Sequence, residues 1–428
     1  MRYVSTRGKA PAVSIDRALL AGLAPDGGLY VPERLPSLGP TRPGRDLAAT
    51  ARTVLGPFFA GSALGAELGA VCDRAFDVPA PLRPLAADGD RLLELFHGPT
   101  AAFKDYAARF LAEALARLEE PATLVVATSG DTGAAVAAAF HRRPGFQVVI
   151  LYPEGRIAPR QAHSLECWGD NVRAFRVAGS FDDCQRLAKE ALGDGALRER
   201  LGLTSANSIS LGRLLPQVAY HAHAACRFLA EEGARLNLIV PTGNLGNASA
   251  AVLARRMGLP VGDVVLATNA NDVLPRYFRG EPFRPRPARA TLANAMDVGS
   301  PSNFERLRAW HRSDAELRAA VRAVGVEDAE IRESIRRAPR RHGVVPCPHT
   351  ATGLHVLDRL RAEGDERPWA VVATAHPAKF DEVVEPLVDG ALEVPPPALE
   401  EMLSRPARGE SLPADFEALR RRLLAGSD

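Results

Sequence analysis

Lysine is almost missing from this 428-residue chain: only Lys9, Lys104, Lys189 and Lys379 occur, so 49 of the 53 basic residues are arginine. Cysteine is nearly as sparse. Cys72, Cys167, Cys184, Cys226 and Cys347 are odd in number, widely spaced and form no C-x-x-C pair, which argues against a disulfide framework or a zinc site. No apolar run approaches a membrane span, and Met1-Arg2-Tyr3-Val4-Ser5-Thr6-Arg7-Gly8 lacks the apolar core of a signal peptide, so a cytoplasmic location is expected. The absence of G-x-G-x-x-G and G-x-S-x-G speaks against the usual dinucleotide site and the usual serine hydrolase. A net charge of +2 gives no reason to expect nucleic acid or acidic lipid as a partner. His221-x-His223 reads as a pair on a helix surface rather than as metal ligands.

What is present suits a globular chain of two or three domains with a large core. Residues 123–127, 146–152, 236–241, 264–268 and 369–373 are short apolar runs that read as strands. Most are followed by a loop and then a helical pattern, over 133–142, 181–200 and 248–257. Repeated strand-loop-helix units predict an α/β fold with two parallel-sheet layers and ligands at the strand carboxyl ends. Residues 1–85 mix short elements with proline-rich loops, including a short strand at Leu29-Tyr30-Val31. The stretch 279–289 reads as a long surface loop, and Pro395-Pro396-Pro397 marks the passage to a helical C-terminal tail over 391–428.

Lys104 lies in Glu94-Leu95-Phe96-His97-Gly98-Pro99-Thr100-Ala101-Ala102-Phe103-Lys104-Asp105-Tyr106, at the opening of a helical pattern over 107–118. A lysine with a lowered pKa can form a Schiff base and an arginine cannot. Helix-start N–H groups, with Phe103 and Tyr106 excluding water, would lower it; on spacing alone, a solvated first-turn lysine fits equally well. Two loops have anion-site geometry. Gly243-Asn244-Leu245-Gly246-Asn247 and Ser129-Gly130-Asp131-Thr132-Gly133 each join an apolar strand to a helix N-terminus, where backbone N–H groups and the helix dipole favour negative charge. The second loop is also readable as a capped helix start.

The segment His-Gly-Pro-Thr-x-x-Phe-Lys-Asp resembles the cofactor-lysine segment of the threonine synthase family, in its shorter bacterial and fungal form. Tyr3-x-Ser5-Thr6-Arg7-Gly8 and Asp26-Gly27-Gly28-Leu29-Tyr30-Val31-Pro32 resemble that family's N-terminal domain. The resemblance implies pyridoxal 5'-phosphate fold type II, similar to the β subunit of tryptophan synthase. An N-terminal domain would span 1–85 and a catalytic region 86–390, split into a small subdomain over 95–225 and a large one over 226–390.

It also implies conversion of O-phospho-L-homoserine and water to L-threonine and phosphate. Lys104 would hold the cofactor and carry protons, and residues Gly243, Asn244, Leu245, Gly246 and Asn247 would hold the cofactor phosphate. Asp131 would lie near the ring hydroxyl and Thr374 against the pyridine nitrogen. Ser129, Gly130 and Thr132 would receive the substrate carboxylate. Asn207, Ser208 and Arg213 match the family's substrate-phosphate segment, although Ser210 stands where asparagine is more usual. His376 and Lys379 read equally well as aids to catalysis or as buried structural contacts, and Pro348-His349-Thr350-Ala351-Thr352-Gly353 as structural. Three anion sites suit a phosphorylated amino acid, with a monomer or homodimer as the assembly. Two alternatives stay open: a phospho-lyase releasing 2-oxobutyrate, and a non-catalytic binding protein.

Overall fold

Apolar runs rich in branched residues become strands that point their carboxyl ends at one crevice. The computed structural model describes residues 1–39, 41–42, 44–86, 89–128, 130–389 and 394–425. Strands β1 (Tyr3–Ser5) and β2 (Tyr30–Pro32) pair antiparallel near the N-terminus. Then come β3 (Leu82–Pro84), β4 (Arg91–Glu94), β5 (Ala122–Ala127), β6 (Phe146–Pro153), β7 (Val172–Ala178) and β8 (Leu203–Thr204). The remaining strands are β9 (Leu236–Pro241), β10 (Val261–Thr268), β11 (Val321–Gly325), β12 (Trp369–Ala373) and β13 (Gly409–Pro413).

Six of them form a sheet in the order β11-β10-β9-β12-β4-β3, and five a second sheet in the order β13-β7-β6-β5-β8. All pairings of the five-stranded sheet are parallel; the six-stranded sheet departs from this only at its β3–β4 edge, which is antiparallel. Parallel sheets are covered on both faces. Runs such as Leu238-Ile239-Val240 and Val148-Val149-Ile150-Leu151 are accordingly buried at every position.

The chain crosses between the sheets at its lysine segment. Strand β4 lies in the six-stranded sheet beside β12, and the next strand, β5, lies in the other sheet. Between them runs helix α1 (Lys104–Ala116). The helices that follow strands toward the crevice are α2 (Asp131–Phe140) after β5, α3 (Phe181–Gly193) after β7 and α5 (Gly246–Arg256) after β9, with α4 (Gln217–Glu232) and α6 (Pro348–Ala362) packed behind.

Three local expectations differ from what is seen. The helical stretch over 181–200 is two helices: α3 stops at Gly193-Asp194-Gly195, where Asp194 caps a second helix, Gly195–Leu201, by accepting from Leu197 N at 3.1 Å. The tail is not wholly helical, because Gly409–Pro413 adds β13 beside β7 with Leu412 buried. His221 and His223 are not on a helix surface: both are buried in α4, with His221 reaching Asn247 and His223 reaching Thr50. The stretch 279–289 is mostly exposed loop, held by Asn271 Oδ1 accepting from Arg289 N and by Gly299 O accepting from Arg286 N. Among the described residues all five cysteines are free and buried, no helix is long and apolar enough to cross a membrane, and no cluster of His, Cys, Asp or Glu could hold a metal ion.

Arg306 fastens the N-terminal pair of strands to the rest. It is fully buried and donates to Tyr30 O at the start of β2, to Ser208 O, to Ile209 O and to Asn303 Oδ1. Replacing it leaves two buried acceptors, Tyr30 O and Asn303 Oδ1, and the half-buried Ile209 O short of a donor, a buried one costing about 1–3 kcal/mol when left unsatisfied. Arg306→Leu is expected to lower the urea midpoint by an amount equivalent to roughly 3 kcal/mol or more. Arg308→Leu, which breaks an exposed pair with Asp314 and a contact 6.0 Å from the centroid of the Phe304 ring, should cost under about 1.5 kcal/mol; equal midpoints for the two variants would contradict this.

Candidate active site

The lysine segment is a turn that fastens itself. The buried Asp105 carboxylate accepts from Thr100 N at 2.9 Å and Thr100 Oγ1 at 2.6 Å. A Cβ at residue 98 would lie 2.4 Å from Asp105 Oδ2, which is why glycine stands there. The turn is laid along the end of β12: Phe103 N donates to Thr374 O at 2.9 Å, and His376 N donates to Ala101 O at 3.0 Å. Lys104 is therefore the first residue of α1, fixed relative to Thr374. Its Nζ donates to Thr132 Oγ1 at 2.9 Å and lies 5.2 Å from the centroid of the Phe103 ring. Burial pushes the Lys104 amine down to about 8; Asp131 opposes this, and Arg213 and Lys379 add to it. Phe103 lines the cleft, whereas Tyr106 turns away and bonds Pro79 O.

One cleft gathers Lys104, Asp131, Thr132, Asn207, Ser208, Arg213, Gly243, Asn244, Leu245, Gly246, Asn247 and Thr374, which come from both sheets. At the end of β9 the chain turns through Leu245, whose φ is 64°, directly into α5. The first intrahelical bond there is from Ser249 N to Leu245 O, so the N–H groups just ahead of it have no helical acceptor. Asn247 faces inward: its Oδ1 is 2.7 Å from His221 Nε2 and 3.0 Å from the Tyr220 hydroxyl. Burial holds His221 down at about 4, so its neutral ring can donate through Nε2 to that oxygen.

At the end of β5, Thr128 Oγ1 accepts from Gly130 N at 3.0 Å and Gly133 N at 3.1 Å. Thr128 thus caps the helix start, while the Asp131 carboxylate turns elsewhere. Gly130 sits behind the cleft with φ 140°, and a Cβ there would lie 2.7 Å from Gln161 Nε2. Ser129 lies outside the described residues. Asp131 Oδ1 accepts from Lys379 Nζ at 2.7 Å and from Gln161 Nε2 at 3.3 Å. Burial alone would raise this carboxyl; Lys379, Lys104 and His349 outweigh it and hold it at about 2.

Arg213 is buried and donates to Ala206 O, while its Nε has no partner among the described residues. Burial lowers its guanidinium to about 10. Asn207 Nδ2 donates to Ala127 O at 2.6 Å, and Ser208 Oγ accepts from Asn244 Nδ2 at 2.7 Å. The segments expected to serve the two phosphates are therefore in direct contact.

His349, expected to be structural, and Ala295 and Met296, which no reading of the sequence named, also line the cleft. His349 faces the cleft with its Nε2 accepting from Ala295 N at 3.1 Å, and burial lowers it to about 4. Ala295 and Met296, delivered by the chain beyond the 279–289 loop, form another wall. No short motif marks them, because their position follows from how that loop is tied down.

A lysine amine held next to an anion-favouring helix start, between two parallel sheets, defines a pyridoxal-phosphate dependent enzyme, and the family model of that description matches residues 91–378. The models for the threonine synthase N terminus and C-terminal region match residues 2–76 and 350–422. The threonine synthase of Haemophilus influenzae is 38% identical over 417 residues, 96% of this chain and 97% of its own length. The crystal structure of threonine synthase from Escherichia coli superposes with a TM-score of 0.91 at 36% identity, covering 100% of both chains. The PLP-bound threonine synthase from Brucella melitensis gives 0.88 at 34%, covering 100% of this chain and 99% of its own. The chain belongs to the threonine synthase family.

The residues present fit the cofactor. Asn247 Nδ2, in the loop at the start of α5, is a buried donor with no partner among the described residues, which is what an anion-binding wall presents before its anion arrives. Gly243 is the tightest point of the wall: a Cβ there would lie 2.7 Å from Met296 Cα and 2.9 Å from Met296 O. Gly243→Ala must therefore displace backbone on one side of the cleft. It is expected to weaken pyridoxal phosphate binding at least tenfold, about 1.4 kcal/mol, in an equilibrium absorbance titration. An unchanged Kd would show that the loop has room to give.

Proposed function

We propose that this cleft performs the threonine synthase reaction, converting O-phospho-L-homoserine and water to L-threonine and phosphate. The observation that carries the reading is the convergence of Lys104, Thr374, the α5 start and the buried Arg213 on one cleft. In this reading Lys104 and residues 243–247 hold the cofactor, with Thr374 against its ring nitrogen and Asp131 near its ring hydroxyl. When bound, pyridoxal phosphate supplies an electron-withdrawing system that spreads negative charge from the substrate's α-carbon.

The chain's own residues do the rest. Thr374 has a hydroxyl without a protein partner among the described residues, free to donate to a neutral ring nitrogen. The N–H groups at the start of α2, with Thr132, are the donors available to the substrate carboxylate. Gly130 acts as the turn that brings them there. Arg213, with Asn207 and Ser208 beside it, grips the substrate phosphate, for which a planar guanidinium is suited. Lys104 would move protons in turn: its amine, held well below an ordinary lysine, takes one from Cα and gives it up to the bound cofactor before taking one from Cβ, which lets phosphate leave Cγ; it then returns a proton to Cγ, water adds at Cβ and Cα regains its proton. The same reading makes the protein cytoplasmic, acting on small molecules as a monomer or homodimer, with no nucleic acid or membrane partner.

Lys104→Ala is expected to fold and to lose about 10³-fold or more of kcat, measured as phosphate release; near-normal turnover would remove Lys104 from its role. Arg213→Ala should raise KM for O-phospho-L-homoserine by about tenfold or more, since a hydrogen bond to a charged group is worth roughly 1.5–3 kcal/mol. Cofactor affinity should change far less. Equal losses in both would move Arg213 to the cofactor's phosphate.

A further inference from the structure

Two of the four lysines lie close to the Asp131 carboxylate, and Lys379 is the one bonded to it. Lys379 is 1% exposed, donates to Asp131 Oδ1 at 2.7 Å and to Thr100 O at 2.8 Å, and so is fixed on both sides. Lys104 donates instead to the neutral Thr132 hydroxyl, on the residue next to Asp131, and has no ion pair among the described residues. We infer that Lys379 is a positioning residue: it engages the Asp131 carboxylate and so keeps that carboxylate from becoming the counter-ion of Lys104. The inference rests on the reading of Lys104 as the cofactor lysine.

The physical case is a competition for one anion. A carboxylate beside an amine holds its proton on, and a second cation bonded to that carboxylate cancels much of the effect. The other charged or titratable groups acting on the pair are Arg213, a cation from the short helix Leu211–Leu214, His349 from α6, the neutral Cys347 thiol just ahead of α6, and Asp105 behind the lysine turn. Asp105 is already committed to Thr100 through both oxygens, and His349 uses Nε2 on Ala295 N. His376, on the segment of Lys379, turns its ring to Phe96 with centroids 5.4 Å apart and accepts from Ala378 N. That leaves Lys379 as the cation bonded to Asp131. Lysine suits the place because a compact ammonium reaches the Thr100 carbonyl and the Asp131 carboxylate at once.

The test is a pH titration of the holoenzyme's cofactor absorbance, which reads the loss of the proton from the nitrogen joining Lys104 to the bound cofactor. In Lys379→Gln the neutral amide keeps the polar contacts and removes the charge, so Asp131 falls to the Lys104 nitrogen. The midpoint should rise by one pH unit or more, a tenfold tighter hold on the proton, and Lys379→Arg, if it retains the pair, should stay nearer wild type. A merely structural lysine would alter stability and cofactor content without moving that midpoint. A Lys379→Gln midpoint equal to wild type, or one displaced downward, overturns the inference. Should Lys379→Gln not fold, Asp131→Asn carries the test: with the carboxylate gone and the Lys379 cation left, the midpoint must fall, and an unmoved midpoint overturns the inference. Borohydride reduction and peptide mapping separate the underlying reading from this one. Cofactor fixed on a lysine other than Lys104 would overturn both, whereas cofactor on Lys104 with unmoved midpoints overturns only the role of Lys379.

Discussion

An amine can carry protons near neutrality only where water does not solvate its charge and no carboxylate claims it. The arrangement around Lys104 meets both conditions through backbone geometry. The turn closed by Asp105 and Thr100 sets where helix α1 begins, and the bonds from Phe103 N to Thr374 O and from His376 N to Ala101 O fix that beginning against β12. The same two bonds hold Thr374 and Lys379 in register with Lys104. Lose the turn, and the lysine, the hydroxyl and the second lysine lose their common frame.

Around that frame the two sheets contribute different parts. The five-stranded sheet brings α2 with Asp131 and Thr132, and the Asn207 amide tied to Ala127 at the end of β5. The six-stranded sheet brings the 243–247 loop and Thr374. Contacts between the two sets are direct: Asn244 Nδ2 to Ser208 Oγ at 2.7 Å, and Asn294 Nδ2 to Gln161 Oε1 at 2.8 Å. The N-terminal strands are wired to the same place, because Arg306 donates both to Tyr30 O and to the carbonyls of Ser208 and Ile209. An N-terminal module remote in sequence thus bears on the segment proposed to hold the substrate phosphate.

Much of this was legible in the sequence because the strand-loop-helix units carry their own punctuation. Leu238-Ile239-Val240 followed by Gly243-Asn244-Leu245-Gly246 announces a buried strand and a helix start, and the rarity of lysine made Lys104 stand out. What could not be read depended on tertiary pairing. Gly409-Glu410-Ser411-Leu412-Pro413 has little strand propensity and is a strand only because β7 offers an edge. His221 and His223 alternate like surface residues, yet α4 is packed on so many sides that both are buried. The bond from Gly130 N to Thr128 Oγ1, which shapes the start of α2, has no signature in the Ser-Gly-Asp-Thr-Gly string. Lys379 was visible as a rare lysine, while its bond to Asp131, 248 residues away in sequence, was not.

In the proposed reaction one cleft both eliminates phosphate and adds water back at Cβ before product leaves. The most direct test follows phosphate, threonine and 2-oxobutyrate together as the purified, cofactor-loaded protein acts on O-phospho-L-homoserine. The account predicts phosphate and threonine in equal amounts. Phosphate accompanied by 2-oxobutyrate in place of threonine would contradict it, since the cleft would then release its unsaturated product without hydration.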